Sequence, residues 1–160
     1  MRIRLLLTAG AAAFFGFIAG YVRRFEAVDN SMQPNVNSGD YLVASRIGRE
    51  LPRTAVVVAP HPETPDMLLV KRAMGVAGDT VSIEGGQVVV NGQVLPEPWA
   101  VGAAAPDGSW AVGPDELFLL SDNRTVETSD SRSFGPVSIR SGAWRVRFRY
   151  WPPSRLGGLD

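Results

Sequence analysis

The chain has 160 residues, 45% of them apolar, which is enough for one compact domain with its own core but hardly for two. Sixteen basic and sixteen acidic residues cancel, so no overall field points to nucleic acid or to an acidic ligand, and recognition must be local. Without cysteine there is no disulfide, no thiolate zinc site and no thiol nucleophile, while a location outside the cytoplasm stays open.

The chain begins "MRIRLLLTAGAAAFFGFIAGYVRRF". Leu5 to Val22 is an uncharged run of about 18 residues, near the lower limit for a helix that spans the hydrocarbon core. A cleaved signal peptide would need an apolar core of only about 7 to 15 residues, so the longer run favours a retained anchor. Arg2 and Arg4 with the terminal amine stand before the run. Arg23 and Arg24 stand after it, soon followed by Glu26 and Asp29, a balance that slightly favours an inside N-terminus. Residues 1–24 are therefore expected as a single-pass anchor, and residues 25–160 as an extracytoplasmic domain. Gly16 and Gly20 form a small-xxx-small pair of the kind that can pack two such helices into a homodimer.

Beyond the anchor the pattern alternates. "DYLVASRI", "TAVVVA", "DMLLVKRAMGV", "DTVSIE", "QVVV", "QVL", "ELFLLS" and "WRVRFRYW" are β-prone runs punctuated by glycine, proline, asparagine and aspartate, which predicts a mainly β, antiparallel domain. Gly85-Gly86 and Asn91-Gly92 suit the positive φ angles of tight turns and predict two consecutive hairpins. "LPEPWAVGAAAPDGSWAVGPDE" reads as a long, mobile surface excursion before the next strand. Phe25, Trp144, Tyr150 and Trp151 are candidates either for contact with a lipid surface or for the core.

One serine, Ser31, stands in the turn-forming stretch "DNSMQPN". A serine hydroxyl needs a nearby base to become a nucleophile. The single histidine, His61, lies in the proline-rich "APHPETPD" and reads as a solvated loop residue, because one imidazole without partners makes neither a metal site nor a triad. The single lysine, Lys71, and the carboxylates remain as bases: desolvation can lower an amine's pKa, whereas the guanidinium of the fifteen arginines stays protonated, and taken alone Lys71 reads equally as a surface lysine that snorkels to solvent. If "MLLVKRAMG" is a strand, Met67, Leu69, Lys71 and Ala73 share one face, and Leu68, Val70, Arg72 and Met74 the other.

Four ordered segments between Val28 and Val137 resemble type I signal peptidases, the membrane-bound serine/lysine endopeptidases. "SMQPN" is similar to the nucleophile box, usually Ser-Met-x-Pro-Thr. "SGDYLVASR" is similar to the second box, "VKRAMGVAGDTV" to the lysine box, and "SDNRTVETSDSRSFGPV" to the box Gly-Asp-Asn-(x)-Ser-x-Asp-Ser-Arg. The resemblance implies Ser31 as nucleophile, Lys71 as general base, a β-rich fold shared with LexA-type repressors, and no metal or other cofactor. It also implies that preprotein signal peptides with small residues at the first and third positions before the cut are the substrates, bound as an extended strand with Met32, Leu69 and Val70 as candidate contacts.

Three departures accompany it. Asn35 replaces the usual threonine, and both can hydrogen-bond a turn. Asp29 stands two residues before the nucleophile, where family members commonly have glycine or serine. A carboxylate there opposes a developing oxyanion, so Asp29 is expected to point away and leave the Ser31 N–H and Asn30 as donors. In the last box five residues rather than four separate Arg124 from Asp130. Counting back from Asp130 puts Thr128 at the hydroxyl that orients the lysine; counting forward from Arg124 puts Glu127 there. Thr128 keeps the hydroxyl and is preferred. Asp130 and Arg132 then form a supporting ion pair, and Gly78 with Asp79 holds a turn. The alternatives are a LexA-type autoprotease, which the anchor and the lack of room for a DNA-binding domain disfavour, and a membrane-anchored β-domain that binds peptides at a decayed site.

Overall fold

A computed structural model describes residues 21–48 and 51–159. The strands are, in order, β1 (Val22–Glu26), β2 (Tyr41–Arg46), β3 (Val56–Pro60), β4 (Leu68–Gly75), β5 (Thr80–Glu84) and β6 (Gln87–Val90). They continue as β7 (Gln93–Val94), β8 (Gly108–Ala111), β9 (Glu116–Leu120), β10 (Val137–Ser138) and β11 (Trp144–Trp151), with one short helix, α1 (Ser131–Phe134), before β10. Two antiparallel sheets result: a large one in the order β1-β2-β11-β3-β4-β9-β10, and a small one in the order β7-β6-β5-β8. The expected β class is thus observed.

Local chemistry explains most elements. The valine run of β3 lies between β11 and β4 and is buried along its whole length, as a β-branched central strand should be. Tyr41–Arg46 alternates instead, with Leu42 and Ala44 inward. Gly85, Gly86, Asn91 and Gly92 have φ of 56°, 87°, 52° and 79°, and they close the β5–β6 and β6–β7 hairpins as the sequence predicts. Gly78, with φ 85°, turns the chain into β5, while Asp79 accepts from the Val76 N–H at 2.9 Å and is paired with Arg53. The Arg53 hydrogen bond is the main reason the Asp79 carboxyl lies at about 2.

Two expectations change. The stretch from Leu95 to Glu116 is not only a surface excursion: β8 lies inside it and pairs with β5, Ala104 and Val112 are buried, and Trp110 packs on Phe118 at 4.8 Å. Its few apolar residues find partners from distant strands, which no local pattern reveals. Val22, expected as the last residue of the membrane-spanning run, and Arg23 and Arg24, expected at its flank, belong instead to β1 and pair with β2. The rest of the expected anchor, Leu5 through Tyr21, falls almost entirely on residues 1–20 and lies outside the described residues, as does the Gly16–Gly20 pair. Among the described residues no helix is long and apolar enough to cross a membrane.

The two sheets meet at the end of β4. Its pairing with β9 shifts register between Ala73 and Gly75, and a Cβ on Gly75 would stand 2.4 Å from Val81 Cγ2 and 3.1 Å from Val112 Cγ2. Only glycine lets the large sheet approach the small one so closely. Gly75→Ala is therefore expected to destabilise the protein by about 1–3 kcal/mol through overpacking. An unchanged denaturation midpoint would show that the contact yields freely.

Candidate active site

Ser31 follows β1 in a wound turn. The Val36 N–H donates to Met32 O at 2.8 Å and the Gln33 N–H to Asn30 O at 3.2 Å, while Met32 and Val36 are buried in the core with Leu42 and Trp144. The base of the loop is closed by Ala27 and Asp40, whose backbones hydrogen-bond at 2.9 Å. Its far side is held by Arg155, which donates to Pro34 O at 2.7 Å, and by Arg149, which donates to Asn35 O. The segment after β9 fixes its near side: the Asn123 N–H donates to Ser31 O at 2.8 Å, and Asn123 Nδ2 to Asn30 O at 3.3 Å.

Lys71 is 1% exposed, on the β4 face it shares with Leu69. Its Nζ donates to Ser31 Oγ at 2.6 Å and to Thr128 Oγ1 at 3.1 Å. Thr128, not Glu127, therefore contacts the amine; Glu127 is exposed on the wall of the cleft. Burial pushes the Lys71 amine below its ordinary value. Asp29, Asp130 and Asp122 oppose that shift, and Arg132 adds to it. Asp130 caps α1 through the Arg132 N–H, pairs with the Arg132 guanidinium at 2.8 Å and accepts from the Ser121 N–H at 3.1 Å. Burial alone would raise its carboxyl, but these bonds hold it below the usual range.

On the opposite face of β4, Arg72 and Met74 are buried too. Arg72 makes a two-pronged pair with Asp122 at 2.7 and 2.8 Å, with its guanidinium 4.5 Å above the Trp99 ring. Asn35 Nδ2 donates to the same Asp122 carboxylate at 2.9 Å. This places the residue that replaces the usual threonine in the network joining the nucleophile turn to the lysine strand.

A cleft of about 360 Å³ opens over Ser31 and Lys71, walled by Asn30, Met67, Leu69 and residues 126–129. It adjoins a hollow of about 290 Å³ that reaches Pro106 and Arg132. Of the three expected substrate contacts, Leu69 lines the cleft. Met32 is a core residue, and Val70 faces a small hollow on the other side of β4. Asn30 reaches the cleft, but its side-chain oxygen accepts from Gln33 Nε2 at 3.0 Å.

Contrary to the expectation, Asp29 does not point away from the nucleophile. Its Oδ1 accepts from the Ser31 N–H at 2.9 Å and from Ser31 Oγ at 2.7 Å, because both donors lie two residues along the chain, within reach of a short acidic side chain that bonds locally. Two contacts went unread. Ser121 Oγ stands 3.1 Å from Thr128 Oγ1, and His61 is half-buried, with Nε2 3.2 Å from Ser129 Oγ and its ring edge-on to Phe134. For Ser121 the only signal was its place in the last box. For His61 there was none, since its partners come from beyond β9.

A family model described as "Signal peptidase, peptidase S26" matches residues 2–151. The chain is 32% identical to a signal peptidase I of Leptolyngbya laminosa over 142 residues, covering 81% of this chain and 68% of that protein. It is 31% identical to a signal peptidase I of Bacillus caldolyticus over 140 residues, covering 76% and 75%. A crystal structure of a signal peptidase I from Enterococcus faecalis superposes with a TM-score of 0.51 at 25% identity, covering 57% of this chain and 92% of that one.

The buried pair gives a stability test. Asp122→Ala leaves the Arg72 charge buried without its partner and should cost about 3–5 kcal/mol, whereas the double change Asp122→Leu with Arg72→Met should cost far less. Equal losses in denaturant unfolding would contradict the pairing.

Proposed function

The chain belongs to the signal peptidase family, peptidase S26, and we propose that it is a membrane-anchored serine endopeptidase that removes N-terminal signal peptides from translocated preproteins, with Ser31 as nucleophile and Lys71 as general base. The observation that carries the catalytic assignment is the 2.6 Å contact between the Lys71 amine and the Ser31 hydroxyl in a buried site. It favours working chemistry over a decayed peptide-binding domain.

A neutral Lys71 takes the Ser31 proton as Oγ attacks the scissile carbonyl. The resulting oxyanion is met by the Ser31 N–H. The Lys71 ammonium then gives its proton to the departing amine of the mature protein, leaving the signal peptide acylated on Ser31. Water, with Lys71 again as base, hydrolyses that ester and frees the enzyme. Thr128 orients the amine, Asp130 and Arg132 hold the start of α1, and Ser121 supports Thr128. The apolar wall formed by Met67, Leu69 and Val126 suits an extended substrate strand with small side chains near the cut.

Location follows from the same reading. β1 starts at Val22, where the apolar run ends, so the strand that leads to Ser31 would leave the bilayer surface directly. Exposed Val28 and Leu68 flank the small hollow beside β1, and Trp151, half of it exposed, is the most exposed of the four aromatic candidates for contact with lipid. Trp144 is in the core, packed by Phe25 and by Arg23 and Arg46, and Tyr150 packs at a tilt against Tyr41. In right-side-out vesicles, added protease should digest the β domain. Digestion only after the membrane is broken would reverse the orientation.

Cleavage of a preprotein in detergent tests the chemistry. Ser31→Ala, Lys71→Arg and Lys71→Met should each lose at least about a hundredfold, the usual contribution of a positioned base. Thr128→Val should lose about 10- to 100-fold, as expected for one hydrogen bond to a charged or reacting group, while Thr128→Ser keeps activity and Glu127→Gln changes little. Wild-type activity should fall on acidification as Lys71 gains its proton, and return on neutralisation. Near-normal turnover by Lys71→Arg would remove lysine as the base.

A further inference from the structure

The segment between β1 and the nucleophile turn sets an anion where acyl transfer requires a free donor. Asp29 Oδ1 takes both the Ser31 N–H and the Ser31 hydroxyl proton, at 2.9 and 2.7 Å. From the other side, Lys71 Nζ donates to the same Oγ. The hydroxyl is therefore a bridge: it accepts from the amine and donates to the carboxylate. In this arrangement the amine's lone pair is not aimed at the hydroxyl proton, and the N–H that must meet the oxyanion is occupied. Asp29 is exposed on the cleft wall, so its side chain can swing into solvent without disturbing the core.

We propose that Asp29 is a displaceable plug of the oxyanion site, which holds the Ser31 N–H and hydroxyl until the carbonyl of a bound substrate segment evicts it. The inference rests on the peptidase reading and concerns how that site is switched on. Charged groups reach Lys71 from each element around it: Asp29 from the segment before the turn, Asp122 from the end of β9, and Asp130 and Arg132 from the start of α1. Glu127 lines the same cleft. Asp122 is paired with Arg72, and Asp130 with Arg132, but Asp29 is joined to the amine through Ser31 alone of the catalytic pair. Eviction frees the Ser31 N–H and removes a carboxylate that favours the ammonium, so burial then drives the proton from Lys71 to solvent. One event thus vacates the oxyanion site and readies the base. A peptide too weakly held in the cleft to displace the carboxylate is not cut.

Lys71 is the chain's one lysine, so lysine labelled with ¹³C at Cε gives a single NMR reporter in the detergent-solubilised full chain. Asp29→Gly and Asp29→Asn should each lower the Lys71 titration midpoint by about 1 to 2 pH units, the effect of removing a close opposite charge. Asp29→Gly should raise kcat/KM for a preprotein about tenfold at neutral pH, with the acid limb of the profile moved the same way. Asp29→Asn should gain less, because its amide oxygen still accepts from the Ser31 N–H. An unmoved midpoint, or a fall in kcat/KM for Asp29→Gly, would overturn the plug. A midpoint moved by Asp29→Gly, together with a wild-type chain that cuts no preprotein, would instead sink the peptidase reading and leave the link between Asp29 and Lys71 standing.

Discussion

A primary amine buried to 1% exposure is the constraint around which this domain is arranged. Removing an ammonium from water costs several kcal/mol, and the usual relief is for the group to shed its proton. Burial therefore supplies the chemistry directly: the walls that exclude water from Lys71 also push its amine below the ordinary value, toward the neutral form that a base needs. The strand achieves this by period. Lys71 takes an inward position on β4 next to Leu69 and Ala73, while its neighbour Arg72, whose charge cannot be shed, is turned to the opposite face and neutralised by Asp122.

A base is useful only if the nucleophile meets it, and the two residues lie far apart in the chain. The segment after β9 joins them. Asp122 holds Arg72 from the lysine strand and Asn35 from the nucleophile turn, Asn123 holds the carbonyls of Asn30 and Ser31, and Ser121 touches Thr128. These bonds are buried or partly buried, where a network with every partner present is rigid and a broken one is expensive. The 2.6 Å contact between Lys71 and Ser31 thus depends on three successive residues that react with nothing themselves.

What the sequence disclosed and what it concealed divide along the range of the interactions. The β5–β6 and β6–β7 hairpins were legible because Gly85-Gly86 and Asn91-Gly92 carry their turn preference in two adjacent residues. The pairing of Ser31 with Lys71 was legible in part by elimination, since a single histidine in a proline-rich loop and no cysteine left only lysine and the carboxylates as bases, and then by resemblance to a family pattern. β1 and β8 were not legible. Each is short, and each is held by a partner strand rather than by its own alternation, so "VRRFE" looked like the flank of an anchor and "GSWA" like part of a loop. The burial of Arg72 was hidden for the same reason: its partner lies on another strand. Asp29 could be seen to conflict with an oxyanion, but whether its carboxylate turned inward or outward depended on a rotamer, which no pattern encodes.

The two carboxylates beside the base show how the site tolerates charge that its chemistry disfavours. A carboxylate near Lys71 favours the ammonium, and in a low-dielectric cleft it does so strongly. The additional residue between Arg124 and Asp130 lets Thr128 present its hydroxyl to the amine while Glu127 stays in solvent at the rim, where water screens it. Asp29 is closer and reaches the nucleophile itself, yet it too is exposed, between exposed Val28 and Asn30. Asp122 and Asp130, which are buried, are each neutralised by an arginine. The rule that reconciles all four is that a carboxylate in the neighbourhood of this lysine is either paired with a guanidinium or free to leave.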